Sequence, residues 1–290
     1  MDPVKRSLIT LHITVILLGG TGLFASIIPL NATDITLGRS VFACIALAIF
    51  LRFTGESLFL NKPKDYALAT LLGVLMAVHW VTYFAAMQFA GVAVGMIALF
   101  TFPVITVLIE PMFEKIKLVW QDIFSAMAVF IGVGLLVPEI SLENEVTLGV
   151  LTGVVSAFLY AFRNLLHRQY FSHYSGAKAM TWQILVAALC LLPFASHDFY
   201  VADQHTWLLL VLLGTAFTAL PHAMVASALI YLRAKTFSLI ACMQPMYGVI
   251  LAIILLNESP GIKALIGGIL VTSASLYETM NAQKLHNRKA

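Results

Sequence analysis

Three groups of polar or ionisable side chains interrupt otherwise apolar runs. His79 and Trp80 lie one turn before Tyr83, and a histidine there can hydrogen-bond a solute or change charge near neutral pH. Tyr160, Arg163 and Asn164 repeat at helical spacing, and Arg163 would favour a carboxylate if it faced a cavity. His222 follows Pro221, while Met243 and Gln244 precede Pro245. Flexible thioethers suit a surface that accepts varied ligands, or they fill gaps between helices. This is the chemistry of solute recognition. Bond-making constellations are missing: there is no His-Glu-x-x-His pair, no Gly-x-Ser-x-Gly and no cluster of carboxylates. Cys44, Cys190 and Cys242 lie in apolar stretches without metal-type spacing and read as small buried hydrophobes. Neither metal nor cofactor is expected.

Each candidate also has a structural reading. His79 fits a neutral histidine satisfied by a neighbouring helix. Arg163 lies about a turn and a half before the inner end of its span, where its head could snorkel to the interface. Arg39, at the outer end of another span, reads as an interfacial anchor. Glu258-Ser259-Pro260 reads as a helix start with Ser259 as cap and Pro260 at the first position, making Glu258 structural. Gly20-x-Gly22-x-x-Ala25 matches a dinucleotide fingerprint only formally, since no strand precedes it.

The elements that must position these residues are membrane spans. Hydrophobic residues make up 60% of the chain and charged ones 11%, so its solvent must largely be lipid. Ten apolar stretches cover 7–29, 36–53, 66–88, 91–110, 119–137, 146–169, 178–194, 206–230, 236–256 and 261–279. The seventh is short and carries Gln183. The first follows Lys5 and Arg6 as a signal peptide would, but its length favours an uncleaved helix. With both termini inside, all of the 17 basic residues except Arg39 and Lys263 fall on the cytoplasmic side. Partners are therefore the lipid bilayer and a small-molecule substrate, with no nucleic acid.

A shift of 142 residues lays spans three and four over eight and nine, so that Ala86 meets Ala228, Pro103 meets Pro245 and Val107 meets Val249. A two-residue gap then brings Glu114 onto Glu258. Gly91 and Ala93 correspond to Arg233 and Lys235, as inversion demands, because only the inner copy keeps its basic residues. The expected architecture is all-α, with ten transmembrane helices as two inverted five-helix repeats, 7–137 and 146–279. Pro103 and Pro245 each remove a backbone bond and should kink their helices at equal depth.

The stretch from Tyr83-Phe84-Ala85-Ala86-Met87 through Pro103 to Glu114 resembles part of an EamA domain. So does Ala228-Leu229-Ile230-Tyr231 through Gln244-Pro245 to Leu256-Asn257-Glu258, followed by Ile266-Gly267-Gly268. Nearly the whole chain is similar to the drug/metabolite transporter superfamily, although Phe113 and Asn257 stand where that family usually has glycine before the glutamate. The resemblance implies a multi-pass protein of the bacterial inner membrane that exports a small organic metabolite by alternating access. A mid-membrane site would be lined by spans one, three, four, six, eight and nine, with five and ten peripheral. On these residues the site comprises His79, Trp80, Tyr83, Tyr160, Arg163, His222, Met243 and Gln244. An amino acid, an aromatic metabolite or a nucleoside-like compound would suit it. No Walker loop is present, so energy would come from a substrate gradient, a counter-substrate or a coupled proton. The protein is expected to act as a monomer and not as an enzyme. The rival readings are an integral membrane enzyme and a non-transporting subunit or receptor.

Overall fold

A chain segment in lipid must satisfy its own backbone, and a helix does so within a single span. The computed structural model describes residues 3–113, 118–137, 139, 141–222, 224, 240–241 and 243–289, among which no strand occurs. Glu114, Ala228, Tyr231, Arg233, Lys235 and Cys242, used in the repeat, topology and cysteine readings, lie outside the described residues. The helices are α1 (Pro3–Gly20), α2 (Phe24–Ile27), α3 (Ala32–Thr54), α4 (Pro63–Ala90), α5 (Val92–Leu99) and α6 (Phe102–Ile109). They continue as α7 (Trp120–Leu136), α8 (Glu145–Tyr170), α9 (Gly176–Leu191), α10 (His197–Tyr200), α11 (Gln204–Gly214), α12 (Gln244–Leu256) and α13 (Ile262–Lys289). A π-helical segment, Thr215–Ala219, extends α11.

Among the described residues, seven segments are long and apolar enough to cross a membrane: Leu8–Ile27, Ala32–Thr54, Pro63–Ala90, Val92–Met112, Glu145–Tyr170, Gly176–Phe194 and Gln204–His222. Trp120–Leu136, Gln244–Leu256 and Ile262–Tyr277 are shorter apolar helices. Large apolar side chains such as Phe130 and Ile269 point outward, at 81% and 66% exposure. Such a surface is stable against acyl chains and not against water. The chain is a multi-pass membrane protein.

Local chemistry sets the helix ends. The Asn31 side chain accepts from Asp34 N at 3.0 Å, Asn144 from Thr147 N at 3.2 Å and Asp203 from Thr206 N at 2.8 Å. Each satisfies an amide that the first turn leaves open. Gly55, at φ 72°, ends α3, and Gly91, at φ 83°, makes the tight turn between α4 and α5. The Asn31 cap starts α3 at Ala32, one turn earlier than hydropathy places it. Arg39 consequently lies about two turns inside the helix instead of at its outer end.

The α4 helix packs chiefly on α8 and α9, α3 on α9 and α11, α7 on α13, and α1 on α12. The α7–α13 contact depends on missing side chains. A Cβ at Gly267 would stand 2.5 Å from the Gly132 carbonyl oxygen, and one at Gly132 would stand 2.9 Å from that of Gly267. The span Val92–Met112 is interrupted between α5 and α6, with Pro103 in the first turn of α6. The Thr101 hydroxyl donates to the Ala98 carbonyl at 2.8 Å, and Ser275 of α13 donates to that of Phe100 at 2.7 Å. The Ala98 carbonyl also accepts from Thr101 N at 3.4 Å, so the hydroxyls supplement the backbone bonding at the break. Pro245 likewise lies in the first turn of α12.

The last helix begins at Ile262, not at Pro260. Glu258 is engaged elsewhere: its carboxylate accepts from Val92 N at 2.7 Å and from Ala93 N at 3.0 Å. It thus caps α5 from the other half of the chain, where the positive end of the helix dipole favours an anion.

Candidate functional site

Side chains from α3, α4, α8 and the π segment meet inside the bundle. On α4, His79 and Trp80 are both buried, at 4% and 5% exposure. The Ser156 hydroxyl of α8 donates to the His79 carbonyl at 2.8 Å, and His79 Nδ1 lies 3.0 Å from the Ser156 carbonyl oxygen. Nδ1 is also 2.8 Å from Ser156 Oγ. With the hydroxyl proton directed to the carbonyl, Nδ1 carries the hydrogen of the neutral ring, and Nε2 presents a lone pair. Among the described residues nothing bonds to Nε2. The imidazole stacks on Tyr160 with centroids 4.7 Å apart and faces Tyr83 at 6.4 Å. Phe102, from the far side of the α5–α6 break, meets Tyr160 edge-on at 4.8 Å.

Arg39 is buried against this cluster. Its guanidinium carbon lies 4.0 Å from the centre of the Trp80 ring and 5.6 Å from that of Phe84. Arg39 Nε donates to Thr218 Oγ1 at 2.7 Å. The Thr218 hydroxyl in turn donates to the Leu213 carbonyl at 2.7 Å, a five-residue step that belongs to the π turn. His222 Nδ1 donates to the Thr218 carbonyl at 2.6 Å, so Thr218 joins Arg39 to His222. The interfacial role expected for Arg39 is therefore replaced by a buried one.

Arg163 is also buried, and its head is turned into the bundle and not toward an interface. Nε donates to Gln183 Oε1 of α9 at 2.8 Å, Nη2 donates to the same oxygen, and Nη1 donates to Asn164 Oδ1 at 2.8 Å. His167 Nδ1 stands 3.3 Å from Gln183 Nε2.

The structure thus brings together His79, Tyr83 and Tyr160, links Trp80 to His222 through Arg39 and Thr218, and holds Arg163 one turn along α8. Gln244 is directed toward α1. Gln244 Nε2 donates to the Leu18 carbonyl of α1 at 3.3 Å, and a Cβ at Gly19 would stand 3.0 Å from the Gln244 carbonyl oxygen. No hydrogen bond or ring contact joins Met243 or Gln244 to His79 or Trp80 among the described residues. Sequence reasoning passed over Arg39, Thr218 and Ser156 as site residues. Arg39 carried a usable signal, being one of two basic residues on the side that the charge bias leaves acidic.

Comparison with known proteins adds the family. A transporter of Bacillus subtilis is 22% identical over 276 residues, covering 92% of this chain and 87% of its own. The S-adenosylmethionine uptake transporter of Rickettsia conorii is 22% identical over 269 residues, covering 90% and 87%. An inner membrane transporter of Salmonella typhimurium is 22% identical over 301 residues and covers 98% of both chains. A solved crystal structure shares the fold, with a TM-score of 0.65 at 17% identity over 97% of this chain and 99% of that one. The family model matches twice, at residues 5–137 and 147–277. A multi-pass chain with this match, and with relatives named as transporters throughout, is a membrane transporter: it belongs to the EamA-like transporter family.

Proposed function

We propose that the protein is a secondary transporter that moves a small organic metabolite, an amino acid or a related compound, by alternating access. The observation that carries this reading is the group of buried His79, Trp80 and Tyr83 with half-buried Tyr160, and with buried Arg39 and Arg163 beside it, inside membrane-spanning helices. Ionisable residues at such depth are expensive and mark solute pathways. The aromatic faces suit an apolar side chain, and His79 Nε2 can accept from an ammonium or hydroxyl group. The rickettsial relatives are named for an amino-acid derivative, which favours the same substrate class.

The inverted repeat is part of this proposal. Numbering the apolar helices one to ten, exchange of the two halves turns the packing of three on seven (α4 on α9) into that of eight on two (α11 on α3). It returns two on seven (α3 on α9) and five on ten (α7 on α13) to themselves. The repeats would span 7–137 and 146–279 with both termini in the cytoplasm of a bacterium. Rocking of the halves would carry the solute, driven by its own gradient, a counter-substrate or a coupled proton.

The test is counterflow in proteoliposomes, using labelled S-adenosylmethionine, methionine, phenylalanine and tryptophan after a thermal-shift screen of the same compounds. Binding to the native state raises stability by mass action. A solute that exchanges, and whose exchange falls at least tenfold in His79→Leu or Trp80→Ala, supports the reading. Export is the expected direction, and right-side-out against inside-out vesicles distinguish it from uptake. Chemical conversion without flux would identify a membrane enzyme instead.

A further inference from the structure

Arg39 is 4% exposed, and its Nη1 is buried with no hydrogen-bond partner among the described residues. Its Nε is taken by Thr218, and one face of its guanidinium is covered by Trp80. A cation–π contact offsets part of the cost of burying this charge, but it leaves the donor edge unsatisfied. Among the described residues no carboxylate supplies the remainder. Acidic residues in α3, α4 and α8 sit in the first turns, as Asp34, Asp65 and Glu145, and residues 204–241 contain none. Asp34, on the same helix as Arg39, is turned away: it accepts from Asn31 Nδ2 at 2.7 Å and from Ser196 N at 3.0 Å. Arg163 differs, since Gln183 and Asn164 occupy its donors.

A buried, oriented guanidinium with a free donor and no counterion is an incomplete ion pair. We infer that the missing partner is the solute, and that Arg39 is the residue that binds its oxyanion, a carboxylate or a phosphate, through Nη1. Trp80 and Thr218 hold the guanidinium plane so that the donor edge stays presented, as bidentate recognition of planar oxyanions requires. This inference rests on the transport reading and narrows its substrate class to anions and zwitterions. It also gives the π turn a purpose, because Thr218 lies in that turn and anchors Nε.

The experiment pairs acids with their neutral analogues. Detergent-purified protein is screened by thermal shift with L-phenylalanine, L-methionine and succinate, with phenylalaninamide, methioninamide and succinamide, and with phenyl phosphate. The acids or phenyl phosphate should stabilise the wild type, and the amides should need at least tenfold higher concentration. Phenyl phosphate acting below the carboxylates would identify a phosphate site. Arg39→Met removes the charge while keeping much of the packing. It should match or exceed the wild type in ligand-free melting temperature and lose the acid response by tenfold or more, while Arg39→Lys keeps a weakened response. Equal action of acids and amides on the wild type overturns the assignment, as does a wild-type response in Arg39→Met or a panel without effect. If Arg39→Met fails to fold, Arg39→Lys and the acid–amide comparison decide the matter. Counterflow separates the two levels: amides exchanging as fast as acids would retain transport and discard the Arg39 site, whereas no exchange of any compound would discard transport.

Discussion

His79 and Ser156 are joined in both directions, the Ser156 hydroxyl donating to the His79 carbonyl at 2.8 Å and His79 Nδ1 meeting the Ser156 carbonyl at 3.0 Å. The pair ties α4 to α8 and fixes which imidazole nitrogen is bare. Ser156→Ala should lower stability by about 1 kcal/mol, the typical worth of a lost buried hydrogen bond. It should also weaken solute binding, because the ring loses its orientation. Thermal melts with and without solute measure both effects. Unchanged binding in Ser156→Ala and His79→Gln together would remove His79 from the site.

Gln183 is the acceptor for two donors of Arg163, one of them at 2.8 Å. Gln183→Leu should destabilise the protein by about 2 kcal/mol, in the range for hydrogen bonds to charged groups. Gln183→Glu should preserve stability and neutralise the local charge. If Arg163 contributes to attracting an anionic solute, the KM for counterflow rises several-fold in Gln183→Glu. A KM that does not move assigns Arg163 to structure alone.

Glu258 closes the N-terminus of α5 with two backbone amides, at 2.7 and 3.0 Å. Glu258→Gln keeps an acceptor but loses the charge facing the helix dipole, at a cost of about 0.5–1 kcal/mol. Glu258→Ala leaves both amides open, and a loss of about 1–2 kcal/mol is expected. Solvent denaturation of the detergent-solubilised protein can rank wild type, Gln and Ala in that order.

The Gly132–Gly267 contact predicts a defect of stability without a defect of specificity. Gly267→Val must push α13 from α7, and overpacking of this kind costs about 1–3 kcal/mol. The melting temperature should fall, while the ratio of counterflow rates among solutes stays at its wild-type value. A changed ratio would show that these helices shape the site.

Asp203 offers a pH test outside the spans. Its hydrogen bonds from the Thr206 side chain and backbone N–H hold the carboxylate below its ordinary range. A group depressed on folding contributes stability above its unfolded value, near 3.9, and that contribution disappears as pH falls through the lower folded value. Asn caps helices about as well as Asp but does not titrate. Wild type should therefore lose melting temperature relative to Asp203→Asn as pH drops from about 5 toward 3, a comparison read by paired melts.

Among the described residues, the long spans were legible from hydropathy because lipid solvation acts on about twenty residues at a time. Details that depend on a single residue were less so. Hydropathy started α3 at residue 36, but the Asn31 cap starts it at Ala32, and that difference converts Arg39 from an edge residue into a buried one. Ser259-Pro260 looks like a helix start, yet the chain remains non-helical to Gly261 while Glu258 reaches α5. The cap is a local effect of one side chain, whereas the Glu258 contact joins residues 166 positions apart. Gln244 shares the depth expected of a site residue, but its amide turns to the Leu18 carbonyl of α1, since depth along a helix does not fix which face a side chain occupies. The proximity of His79 to Tyr83 was readable because one helix of known period places them about one turn apart, whereas the approach of Tyr160 depends on how two helices pack.

The reach of Glu258 to Val92 and Ala93 spans 166 and 165 residues of sequence. During synthesis, α5 therefore enters the bilayer long before its acceptor has been translated. The first half of the protein waits with an unfinished helix end until the last segments arrive, so insertion and final assembly are separate events. Truncation just before Glu258 should yield an inserted chain that quality-control proteases recognise, and supplying the missing segment as a separate polypeptide should rescue it.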